Sequence, residues 1–575
     1  MTNAPRPLIV ILLLGAVVRV LLIVWSAGQP IAIDDAKDYN ALAVGLVERG
    51  EFGYTPGQPA SLRPPLYPAM VAGIYWLSGG ENHTAVRVVQ AVLGLLAALV
   101  VYRLAQGMYG QKQGTGPICA LSPFSVPVLA AAAVCFYPSL LFMGTQILTE
   151  VLFTFLVCLA CLLMQRVLDG FADQRSRAAF FALVGFGVVL GLGALTRSVL
   201  WLFPPFLMVF LVWATRRRSG VAPGDLRPAV SAGTEARAER ESAVQSGHLA
   251  PRDEDSSRGA RRLRTAVQSR HLAPRDEDSS RGARRLRTAV QSGHLAPRDE
   301  DSSRGARRLR WDFGRRVGMA LVPVLAFCAV IAPWAVRNTR LHKTFTTIDV
   351  MGGRNMMMGN YEYTPMYRSW DAISVSGEKA WYRLLADEHP GFSRLTQGQL
   401  DKLAMKRGIK FVLANPGLTA QRDLVKFLNF WQLERTVAAG FARGYWGDAP
   451  RWVKLAVAAI VAGSYAAAML LGIFGFVMTR PADVRLHWFL LLLVAFICAA
   501  HTAVFAHERY RLPLMPIVMI YAAAAAVHAR AIWQRRRTLA FWLATGLCTL
   551  MVASWAWELV WVEWERIGKL LVASC

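Results

Sequence analysis

The chain has 575 residues, 54% of them hydrophobic, a mean hydropathy of +0.33 and a formal net charge of +26. This composition excludes an ordinary soluble domain and predicts an all-α polytopic membrane protein. The charge does not imply a nucleic-acid partner: 24 Arg against 14 Asp and Glu fall in residues 216–316, and most of the remainder flanks apolar runs, where Lys and Arg set membrane orientation.

A first span is expected at 8–27, too long for a signal peptide and without a small-residue cleavage site, so it reads as an anchor. Arg19 inside it is costly in hydrocarbon and should face the bundle interior. Further spans are expected at about 85–106, 124–142, 147–165, 179–196, 199–215, 317–336, 453–478, 487–505, 512–528 and 538–560, about eleven in all. The cysteines sit mostly inside these apolar runs, Cys158 and Cys161 included, so neither a disulfide framework nor a zinc site is implied. Gly187 and Gly191 form a G-x-x-x-G suited to helix packing.

The polar island at 33–68 follows the first span directly. Tyr39, Leu42, Ala43 and Leu46 recur at helical spacing, and Asp35 and Asp38, three apart, fall on one face of that helix. Such a helix is too polar to span and should lie along the membrane surface, as the roof of an active site. Asp34 or Asp35 could equally serve as a helix N-cap. The R-P-P-L-Y-P stretch should hold Arg63 and Tyr67 on a stiff extended segment.

Thr149-Glu150 opens a span, where an acid also suits the helix dipole. Arg197 and Arg337 each end an apolar run, and snorkelling would account for either alone. Several arginines around one pocket would instead make a phosphate or pyrophosphate site. Glu508, Arg509, Tyr510 and Arg511 crowd more polar groups between two spans than a turn needs. Asn82-His83-Thr84 is a formal but weak glycosylation sequon.

Three copies of a 23-residue unit begin at Ser242, Thr265 and Thr288, the last ending at Arg310. Each carries too few aliphatics to bury a core and should be disordered. Residues 337–452 are long enough for a small domain, with helical patterns at 400–413 and 419–433 and a Gly-Gly step at Gly352 and Gly353 that suits close backbone approach. The basic short loops put residues 216–316 on the cytoplasmic side by the positive-inside rule. The loop at 28–84, the segment 337–452 and the tail 561–575 then share the outer face. The expected organisation is an N-terminal catalytic membrane module at 1–215, the repeat loop, one span at 317–336, the outer segment, and C-terminal spans at 453–560.

Seven motifs then follow one another in order: D-A-K-D-Y-N-A-L-A from Asp35, R-P-P-L-Y-P from Arg63, R-V-V-Q-A-V-L-G from Arg87, T-E-V-L-F from Thr149, L-T-R from Leu195, A-P-W-A-V-R-N from Ala332 and E-R-Y-R-L-P from Glu508. Together they resemble the GT-C superfamily of membrane glycosyltransferases, in particular bacterial relatives of the dolichyl-phosphate-mannose protein mannosyltransferases and of the lipid A aminoarabinose transferase. The resemblance implies an enzyme that moves a sugar from a polyprenyl-phosphate donor to a lipid, glycan or protein acceptor outside the cytoplasm, in a bacterial inner membrane. It implies an acidic catalytic base in the first outer loop, Asp35 or its neighbour Asp34. Asp38, Tyr39, Arg63, Tyr67, Glu150, Arg197, Arg337, Asn338, Glu508, Arg509, Tyr510 and Arg511 are the implied substrate-binding candidates. Some members use a divalent cation on the phosphate; no ligand cluster in this sequence demands one.

The alternative reading is a membrane transporter or lipid flippase. Transporters tend to carry inverted repeats and broken helices at the bilayer midplane, and this sequence has no internal symmetry between its halves.

Overall fold

A computed structural model of the chain describes residues 5–110, 125–172, 176–215 and 299–564. These are helical, with no β-strand among the described residues. Two units are distinguished: Met1–Thr215 with Arg316–Cys575, and Arg216–Arg315. Most of the repeat loop and of the tail at 561–575 lies outside the described residues. Composition predicts disorder up to residue 316, whereas a helix runs over Asp299–His342 and so includes the end of the third repeat copy.

Nine helices among the described residues are long and apolar enough to cross a membrane: Arg6–Ser26, His83–Tyr109, Glu150–Phe171, Arg177–Thr196, Gly314–His342, Arg451–Met478, Val484–Ala503, Glu508–Val527 and Leu539–Val562. Each takes up an expected span, and the protein is a polytopic membrane protein. The two other expected spans are broken. Residues 124–142 contain the helices Val126–Cys135 and Pro138–Met143, and residues 199–215 contain a 3-10 turn, Ser198–Leu202, before the helix Pro204–Ala214. Pro138 and Pro204 each open the second helix, where a missing N–H costs nothing, and Tyr137 before Pro138 is pushed to an extended conformation.

Large apolar side chains such as Leu21, Phe181 and Leu550 point outward, as lipid-facing residues do. Inside, glycines let helices approach closely. A Cβ at Gly187 would lie 2.2 Å from the Pro323 carbonyl oxygen, and one at Gly191 would lie 2.8 Å from Val330 Cβ. The G-x-x-x-G is therefore the seam between the helices Ser176–Thr196 and Asp299–His342.

The expected surface helix is present as Asp34–Arg49, burying Tyr39, Leu42 and Ala43. No side chain caps it: its N-cap is Ile33. Tyr67 departs from expectation, because a helix starts at once after the proline pair, over Leu66–Leu77. Proline ends a preceding helix but its fixed φ also prepares the next one, and Pro65 sits at the N-cap with φ −81°. In the 337–452 segment, helices Gln397–Ala414 and Pro416–Trp431 match the expected patterns, the first opened by a reciprocal Thr396–Gln399 capping box. Gly352 and Gly353 open the helix Gly352–Gly359. A Cβ at Gly353 would lie 1.8 Å from the Asp401 carbonyl oxygen, so the close approach is to the helix Gln397–Ala414. Met357 and Met358 are core filling, packed with Tyr361, Leu385 and Phe505.

Candidate active site

Arg63 leaves the first loop just before the proline pair, and the surface helix presents Asp35 and Asp38 to it. Arg63 Nη2 donates to Asp35 Oδ1 at 2.6 Å and to Asp38 Oδ2 at 2.7 Å, and its Nε adds a second bond to Asp38 at 3.1 Å. The other oxygen of Asp35 accepts from Arg509 Nη2. Arg509 Nε in turn lies 3.0 Å from Glu150 Oε1, which also accepts from Arg197 Nη2 at 2.6 Å. Arg197 Nε donates to Thr149 Oγ1 at 2.9 Å. The result is a chain of alternating charge: Asp38, Arg63, Asp35, Arg509, Glu150, Arg197. Three arginines and three carboxylates balance.

The chain is graded in depth. Side-chain exposure falls from 34% at Asp38 through 25% at Asp35 to 1% at Glu150. Burial alone would raise the Asp35 carboxyl pKa, but the Arg509 and Arg63 guanidiniums outweigh it and hold the group well below the usual carboxylate range. Asp34 is different. Its side chain is 95% exposed, and it pairs at 3.0 Å with Lys37.

Tyrosines floor the site. The Tyr39 ring meets Tyr67 edge-on at 5.1 Å, with the Arg63 guanidinium 5.5 Å above it. Burial pushes the Tyr39 hydroxyl up to about 12, so it remains neutral. The Tyr67 hydroxyl donates to Gln90 Oε1 at 2.8 Å. Tyr510 stacks on His501 at 4.4 Å and lies 5.9 Å below the Arg197 guanidinium.

Four expected residues lie elsewhere. Glu508–Leu514 is a 3-10 helix, in which residues three apart share a face, so Glu508 and Arg511 point away from Arg509. Glu508 accepts from Gln432 and from Thr436 Oγ1, the latter at 2.9 Å. Arg511 donates to the Phe430 carbonyl at 2.6 Å and lies 3.9 Å over the Tyr465 ring. The turn is set by His507, whose Nδ1 accepts from the Arg509 backbone at 3.1 Å; burial pushes that imidazole down to about 4, so it is an uncharged acceptor. Arg337 and Asn338 hold the first loop from behind. Arg337 Nη1 donates to the Ala60 carbonyl at 2.7 Å and to Ser61 Oγ at 2.8 Å, and Asn338 Oδ1 accepts from Ser61 Oγ at 2.9 Å. These contacts fix the backbone two residues before Arg63.

The sequence reading did not single out Asp349. It follows Ile348, whose carbonyl accepts from Asn338 Nδ2 at 2.9 Å, and precedes Val350, whose N–H donates to the Ser61 carbonyl at 3.1 Å. Burial pushes the Asp349 carboxyl up to about 6, against the Ser198 hydroxyl, the Met351 N–H and, electrostatically, Arg63. Asn82, the formal sequon, is the N-cap of His83–Tyr109, accepting from the Ala85 N–H at 2.9 Å.

Among the described residues no three His, Cys, Asp or Glu side chains come together as a metal site. Asp35, Asp38 and Glu150 are each bonded to guanidiniums, so this donor set does not fit a divalent cation.

Two structures of the Archaeoglobus fulgidus oligosaccharyltransferase resemble the chain: AglB in complex with an inhibitory peptide and a dolichol-phosphate, and the enzyme tethered to an acceptor peptide containing the NVT sequon. Identity is 12% and 11%, the TM-score 0.43 in both, and 96% of this chain is covered. The chain spans about half the length of these structures, 54%. No curated protein matches the chain. Residues 62–223, which include Arg63, Tyr67, Glu150 and Arg197, match the model of the dolichyl-phosphate-mannose-protein mannosyltransferase family. The likeness to these membrane glycosyltransferases read from the ordered motifs is thus carried by a family match over that segment.

Proposed function

We propose that the protein is an integral-membrane glycosyltransferase that moves a sugar from a polyprenyl-phosphate donor to an acceptor hydroxyl on the extracytoplasmic face, with Asp35 as general base. The observation that carries this reading is the Asp35 carboxylate held between Arg63 and Arg509. Cations that stabilise a departing phosphate and a carboxylate that removes the acceptor proton are what such a transfer needs.

The free state is a resting state. Between two guanidiniums Asp35 is a weak base. A donor phosphate entering the site would compete for the same N–H groups, and each guanidinium bond it takes frees the carboxylate. In the transfer step the acceptor oxygen bonds to the anomeric carbon as the carbon–oxygen bond to phosphate breaks. The acceptor proton passes to Asp35, and the lipid phosphate leaves with its electron pair on oxygen, stabilised by the arginines. Asp38, the most exposed member, would keep Arg63 oriented through the exchange. The basic short loops support the outer-face assignment, and the nine long apolar helices among the described residues support an integral enzyme.

The test is transfer and donor hydrolysis by the purified full chain in detergent, over a panel of radiolabelled polyprenyl-phosphate sugars. Turnover of one donor, lost in Asp35→Asn and kept in Asp34→Asn, supports the proposal. Full activity in Asp35→Asn overturns the assignment.

A further inference from the structure

The ion chain balances every arginine with an acid. A second pair of buried arginines has no such balance. Arg19 and Arg87 are 7% and 3% exposed, and neither meets a carboxylate among the described residues. Both line one cavity of about 30 Å³, together with Gln90, Gly94, Thr145 and Thr154 and a wall of aliphatic side chains. That is roughly twice the 10–15 Å³ that holds one water.

The donors of this cavity are only partly used. Arg87 Nε donates to the Thr145 carbonyl at 2.8 Å, but its Nη1 is buried without a partner. Thr154 Oγ1 is likewise buried and unpartnered. Arg19 spends only Nη1, on the Gly15 and Cys135 carbonyls at 3.1 and 3.0 Å. Its remaining nitrogens lie against Gly94, where a Cβ would come within 3.1 Å of both Nε and Nη2. Glycine there leaves the guanidinium its space. Two unpaired cations and an orphaned hydroxyl around one void are expensive unless an anion supplies what the protein does not.

The cavity is near the end of the bundle that carries the ion chain. Arg87 is four residues past the start of its helix and Arg19 seven before the end of its own, about 6 and 10 Å along the axes. Gln90 belongs to both places: it lines the cavity, and its Oε1 accepts from Tyr67 on the floor of the ion chain. Lipid phosphates lie towards the ends of membrane spans, just outside the hydrocarbon core.

We propose that Arg19, Arg87 and Thr154 form a phosphate site, distinct from the ion chain, that takes the phosphate of a membrane lipid in the leaflet beside it. This inference does not depend on the transfer reaction, since no member of the ion chain contributes to the site.

The test is thermal unfolding of the full chain in a neutral detergent with dioctanoyl phosphatidate, with dioctanoylglycerol, which lacks the phosphate, and with inorganic phosphate. Phosphatidate is expected to raise the unfolding temperature by several degrees and dioctanoylglycerol to leave it unchanged. The shift should vanish in Arg87→Gln and in Gly94→Ala, and persist in Arg63→Gln. Should Arg87→Gln fail to fold, Gly94→Ala and Thr154→Val carry the comparison. A shift with phosphatidate alone supports a lipid source; an equal shift with inorganic phosphate also supports the site, filled from water. No shift with either, a shift kept in Arg87→Gln and Gly94→Ala, or one lost only in Arg63→Gln overturns the proposal.

Discussion

Asp35 and Arg509 stand 474 positions apart in the chain and share an ion pair, carboxylate to guanidinium. The contact ties the surface helix after the first span to the turn that opens the penultimate apolar helix. Asp34, one residue away on the same helix, makes only a local pair with Lys37 in open solvent. Asp35→Asn should therefore lower transfer by at least about 100-fold, the low end of what a general base contributes, while Asp34→Asn leaves it within twofold. Initial rates on a single labelled donor measure both. Equal losses in the two variants would show that the surface acids act together through charge alone.

The resting pairing of Asp35 has a kinetic signature. The acid limb of kcat/KM reports the free enzyme, and that of kcat reports the donor complex. In the free protein two guanidiniums hold the carboxyl low. If phosphate draws them away, the acid limb of kcat should lie at higher pH than that of kcat/KM. Coincident limbs would mean that Asp35 keeps both arginines throughout the reaction.

Glu150 is the buried anchor of the arrangement. Its side chain is 1% exposed and one oxygen serves both Arg197 and Arg509. Glu150→Gln leaves Arg197 without an acid and Arg509 with Asp35 alone, a loss of about 3 kcal/mol by the usual cost of breaking a buried pair. Thermal unfolding in detergent should move down by several degrees, whereas Glu48→Gln, 63% exposed, should not move it. Combining Glu150→Gln with Arg197→Gln should cost less than the sum of the two, because the residues share one interaction.

Much of this was legible in the sequence, for identifiable reasons. A span needs about 20 apolar residues, and such runs are visible without partners; the breaks at Pro138 and Pro204 were passed over, because hydropathy averaged over a run does not register a proline within it. Asp35 stood out as a surplus acid beside Arg63. The division of Glu508-Arg509-Tyr510-Arg511 was not legible. It depends on a 3-10 period of three, which sends Glu508 and Arg511 to one face and Arg509 to the other, and composition does not distinguish that from a loop. Asp349 was hidden for a different reason. In I-D-V-M it resembles any loop acid, and only the Ser61 and Ser198 segments, distant in sequence, give it a buried setting.

That setting makes Asp349 a pH-dependent liability. Its carboxyl rises to about 6 in the folded protein, from an ordinary 3.8. The folded state therefore binds more protons than the unfolded chain between these values, so stability falls as pH rises through the window and stays lower above it. The penalty at pH 8 is at most about 3 kcal/mol, from about 1.4 kcal/mol per unit. Asp349→Asn keeps an oxygen for the Met351 N–H and an amide for Ser198 but carries no charge. It should unfold at a higher temperature than the parent at pH 8 and at about the same temperature near pH 4. A variant less stable than the parent at pH 8 would mean that the ionised carboxylate is compensated, with Arg63 as the cation that acts on it, and Asp349 would then join the ion chain as a fourth acid.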